Sequence, residues 1–204
     1  MKKFLIPSLL AAALVASMPA RAQEAIPSAD AQKYAQILVK TVESAKNLAL
    51  KVELDPDKPT GLKAGEAGAL VIPDKNLSAE KIAKAGAEFV PAGHLWMRHV
   101  GPSKNDRALP NSDLRTLTVT AGDSSADAQI YVLGIRKADG GKTEVALFGK
   151  GKEPVISVAL EKATSSSEAP IQVEGRKTGD GSGILTLVFF GKQKAEIKVT
   201  KLDE

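Results

Sequence analysis

Ile184-Leu185-Thr186-Leu187-Val188-Phe189-Phe190, a turn at Gly191-Lys192, then Lys194-Ala195-Glu196-Ile197-Lys198-Val199: this stretch decides the class of the fold. In its second half Ala195, Ile197 and Val199 alternate with Lys194, Glu196, Lys198 and Thr200, the period-two pattern of a strand with one dry face and one wet face. The first half is apolar on both faces. Leu185, Leu187 and Phe189 point one way and Ile184, Val188 and Phe190 the other, which predicts a strand inside a sheet covered on both sides. Two such strands joined by a short turn make a hairpin, and the chain is expected to be mainly β.

Further strand signals run upstream at nearly regular spacing, at residues 114–120, 129–136, 143–148, 155–160 and 171–174. Asp139-Gly140-Gly141 and Gly149-Lys150-Gly151 supply hairpin turns, Gly122-Asp123-Ser124-Ser125 a polar turn, and 164–168 a polar loop. Residues 91–102 read as one strand with Leu95 and Met97 on one face and His94, Trp96 and Arg98 on the other. Leu48, Leu50, Val52 and Leu54 alternate with polar or small residues and predict a strand ended by Asp55-Pro56-Asp57-Lys58-Pro59. Residues 69–72 form a short apolar run, whereas the glycines of 61–68 read as a turn entering it.

Two segments have helical spacing. Tyr34, Ile37, Leu38, Thr41, Val42, Ala45 and Leu48 lie three or four apart behind Pro27-Ser28, an amphipathic pattern. A shorter helix is expected at 79–85, capped by Asn76-Leu77-Ser78 and ended by Gly86. The expected fold is an antiparallel β-sandwich, or partly open barrel, of about eight to ten strands preceded by that N-terminal amphipathic helix. The domain plan has a signal peptide at 1–22, the docked helix at 23–48 and one β-rich domain at 49–204.

The leader rests on Met1-Lys2-Lys3, an apolar run from Phe4 to about Ala16, and the small-residue site Ala20-Arg21-Ala22. Pro7 interrupts a run already shorter than the roughly 20 residues a bilayer requires. Cleavage after Ala22 is expected to release an exported protein, periplasmic or extracellular, with no transmembrane segment in the mature chain. Losing Lys2, Lys3 and Arg21 lowers the basic count from 28 to 25 against 24 acidic residues. That near-neutral balance gives no reason to expect a nucleic-acid partner. There is no cysteine, hence no disulfide and no lipid-attachment thiol.

Chemistry-bearing patterns are sparse. The two histidines, His94 and His99, are five apart on one expected strand and so face opposite sides, which prevents local chelation of one ion. Asp55 with Asp57, and Asp123 with Asp127, lack the ligand alternation of a calcium loop and read as turn residues. Gly179-Asp180-Gly181-Ser182-Gly183 resembles the nucleophile segment of chymotrypsin-like proteases, but an extra glycine displaces the serine. No phosphate-binding fingerprint is present. Catalytic residues, metal ligands and cofactors are therefore expected to be absent.

What remains is the face of His94, Trp96 and Arg98, with the only tryptophan of the chain. An aromatic anchor beside a guanidinium is a ligand-binding pattern. The expected function is a non-catalytic module of the cell envelope or extracellular space that binds a partner protein or glycan. Two alternatives stand beside it. One is a hydrolase assembled from distant residues around His94 or His99 with Asp113; the other is a structural envelope protein without a small ligand.

Overall fold

Most alternating stretches become paired strands in the computed structural model, which describes residues 23–202. The expected leader, residues 1–22, lies outside the described residues. In chain order the elements are β1 (Glu24–Ala25), α1 (Ser28–Glu43), β2 (Thr60–Ala64), β3 (Ala67–Pro73), α2 (Ala79–Ala83), β4 (Val90–Arg98), β5 (Val100–Lys104), β6 (Arg107–Ala108), β7 (Thr116–Ala121), β8 (Ser124–Lys137), β9 (Thr143–Phe148), β10 (Ile156–Ala159), β11 (Glu161–Lys162), β12 (Ile171–Gly179), β13 (Ser182–Phe189) and β14 (Gln193–Lys201). The protein is mainly β and its sheets are antiparallel. The fourteen strand segments among the described residues exceed the eight to ten expected. The excess comes from two-residue pairings and from a break at His99.

One sheet has eight strands in the order β1-β2-β3-β4-β8-β9-β10, with β7 also paired to β8; the other has six, β12-β13-β14-β5-β6, with β11 on β14. The run expected as one strand over 91–102 is divided between them. His99 adopts φ 54, a left-handed conformation that turns the chain, so β4 belongs to the first sheet and β5 to the second. Leu202 N–H bonds the His99 carbonyl at 3.1 Å and ties the turn to the chain's last described residue.

The two sheets share an apolar core that includes Leu95, Tyr131 and Leu133 from the first and Leu185, Leu187 and Phe189 from the second. Each fully buried side chain of this size contributes about 1.5–3 kcal/mol by leaving water. The terminal hairpin has Leu185 opposite Ile197 and Leu187 opposite Ala195. Its turn places Phe190 (φ 49) and Gly191 (φ 67) in the left-handed region. The expectation that β13 is covered on both sides holds on one face only: Ile184 and Thr186 are half-buried. On that face Val188 is buried between its cross-strand neighbours Gln172 and Lys194.

The first sheet is covered on its other face. Ala31, Ala35, Leu38 and Val42 of α1 pack on Leu70, Ile72, Trp96 and Ile130. The chain then returns as a strap in which Leu48, Leu50 and Val52 cover Val132, Ala146 and Phe148. The strap corrects the strand expected at 48–54: only Leu54 forms a bridge, to Asp74. Its side chains alternate, but its backbone crosses the sheet face and so has no neighbouring strand to pair with.

Two polar clamps hold the strap instead. Asp74, buried, accepts from the amides of Glu53 and Asn76, both at 2.7 Å. Arg115 donates to the carbonyls of Lys46 (3.1 Å) and Asn47 (3.0 Å) on the strap and of Gly149 (3.4 Å) and Lys150 (3.0 Å) after β9. A guanidinium is suited to bridging several acceptors at once. Replacing it in Arg115→Met is expected to lower stability by about 2 kcal/mol. Urea melts and strap amide exchange check this; an unchanged midpoint with unchanged exchange would show that water serves those carbonyls equally well.

The remaining departures have local causes. Thr60–Ala64 is a strand where a turn was expected, and glycine is required within it: a Cβ on Gly61 would lie 2.9 Å from both the Ala69 carbonyl oxygen and Ile26 Cδ1. β8 and β12 run longer than expected, and α2 ends at Ala83.

Candidate binding cleft

The departure of β4 at His99 leaves a gap in the first sheet. β8 continues on, its residues 124–129 paired to β7, while β4 accompanies β8 only from Gln129 onward. The β7–β8 arm therefore projects past the end of β4, and Leu117, Val119 and Ala128 on its inner face pack with the α1 cluster. Between arm, helix and the β2–β3 turn lies a cleft of about 480 Å³, within the usual range for ligand sites.

Its lining is apolar at depth and polar at the mouth. Ile37 and Leu38 of α1, Leu70, Trp96 and Val119 form the walls and floor, with Lys63, Glu66, Arg98 and Asp127 around them. Trp96 is 3% exposed, and its indole N–H has no acceptor. A buried donor without a partner is costly unless something occupies its site. Tyr34 is the one large hydrophobic side chain exposed among the described residues, at 52%, and it too lines the cleft. The four charges balance. Lys63 pairs with Glu24 at 3.6 Å, and Asp127 accepts from the Thr118 hydroxyl at 2.7 Å.

The three residues read from the sequence as one face are thus separated in role. Trp96 and Arg98 both line the cleft. His94, 1% exposed, lies between its cross-strand neighbours Ile72 and Val132, on the face covered by α1 and the strap. Neither of its ring nitrogens has a hydrogen-bond partner, and burial pushes its pKa from 6.5 down to about 4. It is neutral at neutral pH.

Other singled-out residues have structural work. Asp113 lies in the loop before β7; its carboxylate accepts from Ser112 and its carbonyl from the Lys150 amide. Ser182 closes the β12–β13 turn, where Gly181 takes φ 72 and the Thr178 and Ser182 hydroxyls lie 3.4 Å apart. Asp55 accepts from the Asp57 amide, an Asx turn. Among the described residues no group of three His, Cys, Asp or Glu is placed to hold a metal ion, and no helix is long and apolar enough to cross a membrane.

Half of the cleft was missed because 122–125 reads as a polar turn. The signal was present in Ala126 and Ala128, which continue the alternation of β8 toward the turn, but alanine is weakly apolar and both neighbours are polar. No family model, curated protein or solved structure matches the chain. Any functional reading therefore rests on the cleft itself.

Proposed function

We propose that the protein is an exported, non-catalytic β-sandwich module of the cell envelope or extracellular space, with its docked N-terminal helix forming one wall of a site for a partner protein. The observation that carries this reading is the open apolar cleft floored by Trp96. Export is supported by the lysine-led apolar leader and the small residues before Gln23. Between the two ligand classes, the lining favours protein. A glycan needs exposed ring faces to stack on, and Trp96 is nearly sealed, whereas apolar side chains fit a cleft walled by isoleucine and leucine. The hydrolase alternative is weakened at His94, which has no orienting acid and no access to solvent.

The single tryptophan makes the test direct. Trp96 emission is expected to be blue and protected from acrylamide in the free protein, and to change on addition of apolar peptides but not of soluble envelope glycans. A response to glycans alone would reverse the ligand class. Silence toward both would favour a structural role without a small ligand.

A further inference from the structure

The cleft lies beside an unused backbone edge. Ile130 N–H bonds the Arg115 carbonyl in register with the β7–β8 pairing, so β8 residues of even number direct their peptide groups toward β7. Those of odd number face the opposite edge, which β4 occupies at Gln129 and then abandons. The peptide groups of Ser125 and Asp127 are left facing the gap, and among the described residues no strand pairs with them there. Both residues are exposed.

The gap opens where both β4 and β3 stop. β3 begins at Ala67, level with the end of β4, so past that point the free edge of β8 faces the β2–β3 turn across the cleft. On the α1 side, Ala126, Ala128 and Trp96 line the cleft under Ile37 and Leu38. With α1 and the β2–β3 turn closing in on a cleft of about 480 Å³ beside this edge, the space suits a lone extended segment better than the edge of a second folded copy. Two cations, Lys63 and Arg98, stand against two anions, Glu66 and Asp127, which gives no preference for a charged segment.

We propose that the partner enters as an extended, uncharged polypeptide segment that adds a strand to β8 at Ser125 and Asp127 and places apolar side chains, at alternate positions, in the cleft. This deepens the binding-module reading and rests on it. Main-chain bonds then supply affinity and the apolar cleft supplies selectivity.

The test uses the chain from residue 23 onward, which contains every element of both sheets, and an array of uncharged synthetic peptides alternating threonine with valine, leucine or phenylalanine. Peptides that bind are expected to slow exchange of the Ser125 and Asp127 amides, and methylating alternate peptide nitrogens is expected to abolish binding. Asp127→Pro removes the gap-facing N–H and leaves the β7–β8 main-chain bonds in place, but it also removes the acceptor of the Thr118 hydroxyl. It is expected to weaken binding about tenfold, roughly the worth of one main-chain hydrogen bond, whereas Thr118→Val, which removes the same side-chain bond and keeps the N–H, binds as the native chain does. If Asp127→Pro does not fold, the methylated peptides carry the same test on the native protein. Undiminished binding to Asp127→Pro or of methylated peptides, with Trp96 emission still responding, would overturn strand addition and leave the cleft as a binding site. No binding and no emission change with any peptide would overturn the module reading itself. Protection of Ser125 and Asp127 that grows with protein concentration, without peptide, would assign the edge to a second copy and overturn the proposal.

Discussion

Acidification from pH 6.5 to about 4 is expected to remove about 3 kcal/mol of stability through His94 alone. In the unfolded chain the imidazole takes a proton near pH 6.5, while the folded protein resists until about pH 4 because burial disfavours the cation. Between these values the unfolded state binds more protons. Stability from this residue is therefore complete above the upper value and lost progressively as pH falls through the window. No charged group contributes to the shift, and the neighbours on β3 and β8 are Ile72 and Val132. His94→Leu is expected to flatten the profile over this range. It should also raise stability near neutral pH, since two buried nitrogens without partners are removed. Urea midpoints of both proteins across the window provide the check; parallel profiles would mean that His94 does not titrate as its burial demands.

The second large effect belongs to the neighbouring glycine. Gly93 adopts φ 150 at a register shift between Pro91 and Gly93 in the pairing of β4 with β8. A Cβ there would collide with the Ile72 carbonyl oxygen and stand 2.9 Å from Pro73 Cα. Both obstacles are backbone of the adjacent strand and cannot swing aside. Gly93→Ala is expected to cost about 3 kcal/mol or more. Gly86→Ala, where nothing lies within 4 Å of the added carbon, is the control. Thermal melts decide it, and an alanine at 93 with a native midpoint would show that β3 and β4 can part locally.

How far the sequence carried can be traced through these strands. The alternation of Ala195, Ile197 and Val199 was enough to identify β14, because one face of that strand meets the core and the other meets water. Regular turns such as Asp139-Gly140-Gly141 were also legible, with Gly140 and Gly141 both at positive φ. The strap was not. Leu48, Leu50 and Val52 alternate like a strand, and only tertiary placement decides whether such a segment joins a sheet or crosses it. Trp96 and Arg98 were singled out by residue type, and both line the cleft. Its other wall depends on where β4 leaves its sheet, and a histidine in a left-handed conformation has no sequence signature. His94 was placed on the correct strand face, but no local pattern announces that a strap will close over it.

The division of one run of chain between two sheets also sets an order in time. β5 pairs locally with β6, but it joins the rest of its sheet only through β14, Val100 opposite Lys201 and Pro102 opposite Val199, residues about 100 apart along the chain. The second sheet must therefore wait for the last strand to arrive, although the first can assemble from segments that end at Ala159. Contacts of such long sequence separation place folding on the slow side, in the range of milliseconds to seconds. During that interval Leu185, Leu187 and Phe189 lack one of their two flanking strands. The interval ends with β14, which pairs with β13, β5 and β11 and so locks the start, middle and end of the second sheet in one event.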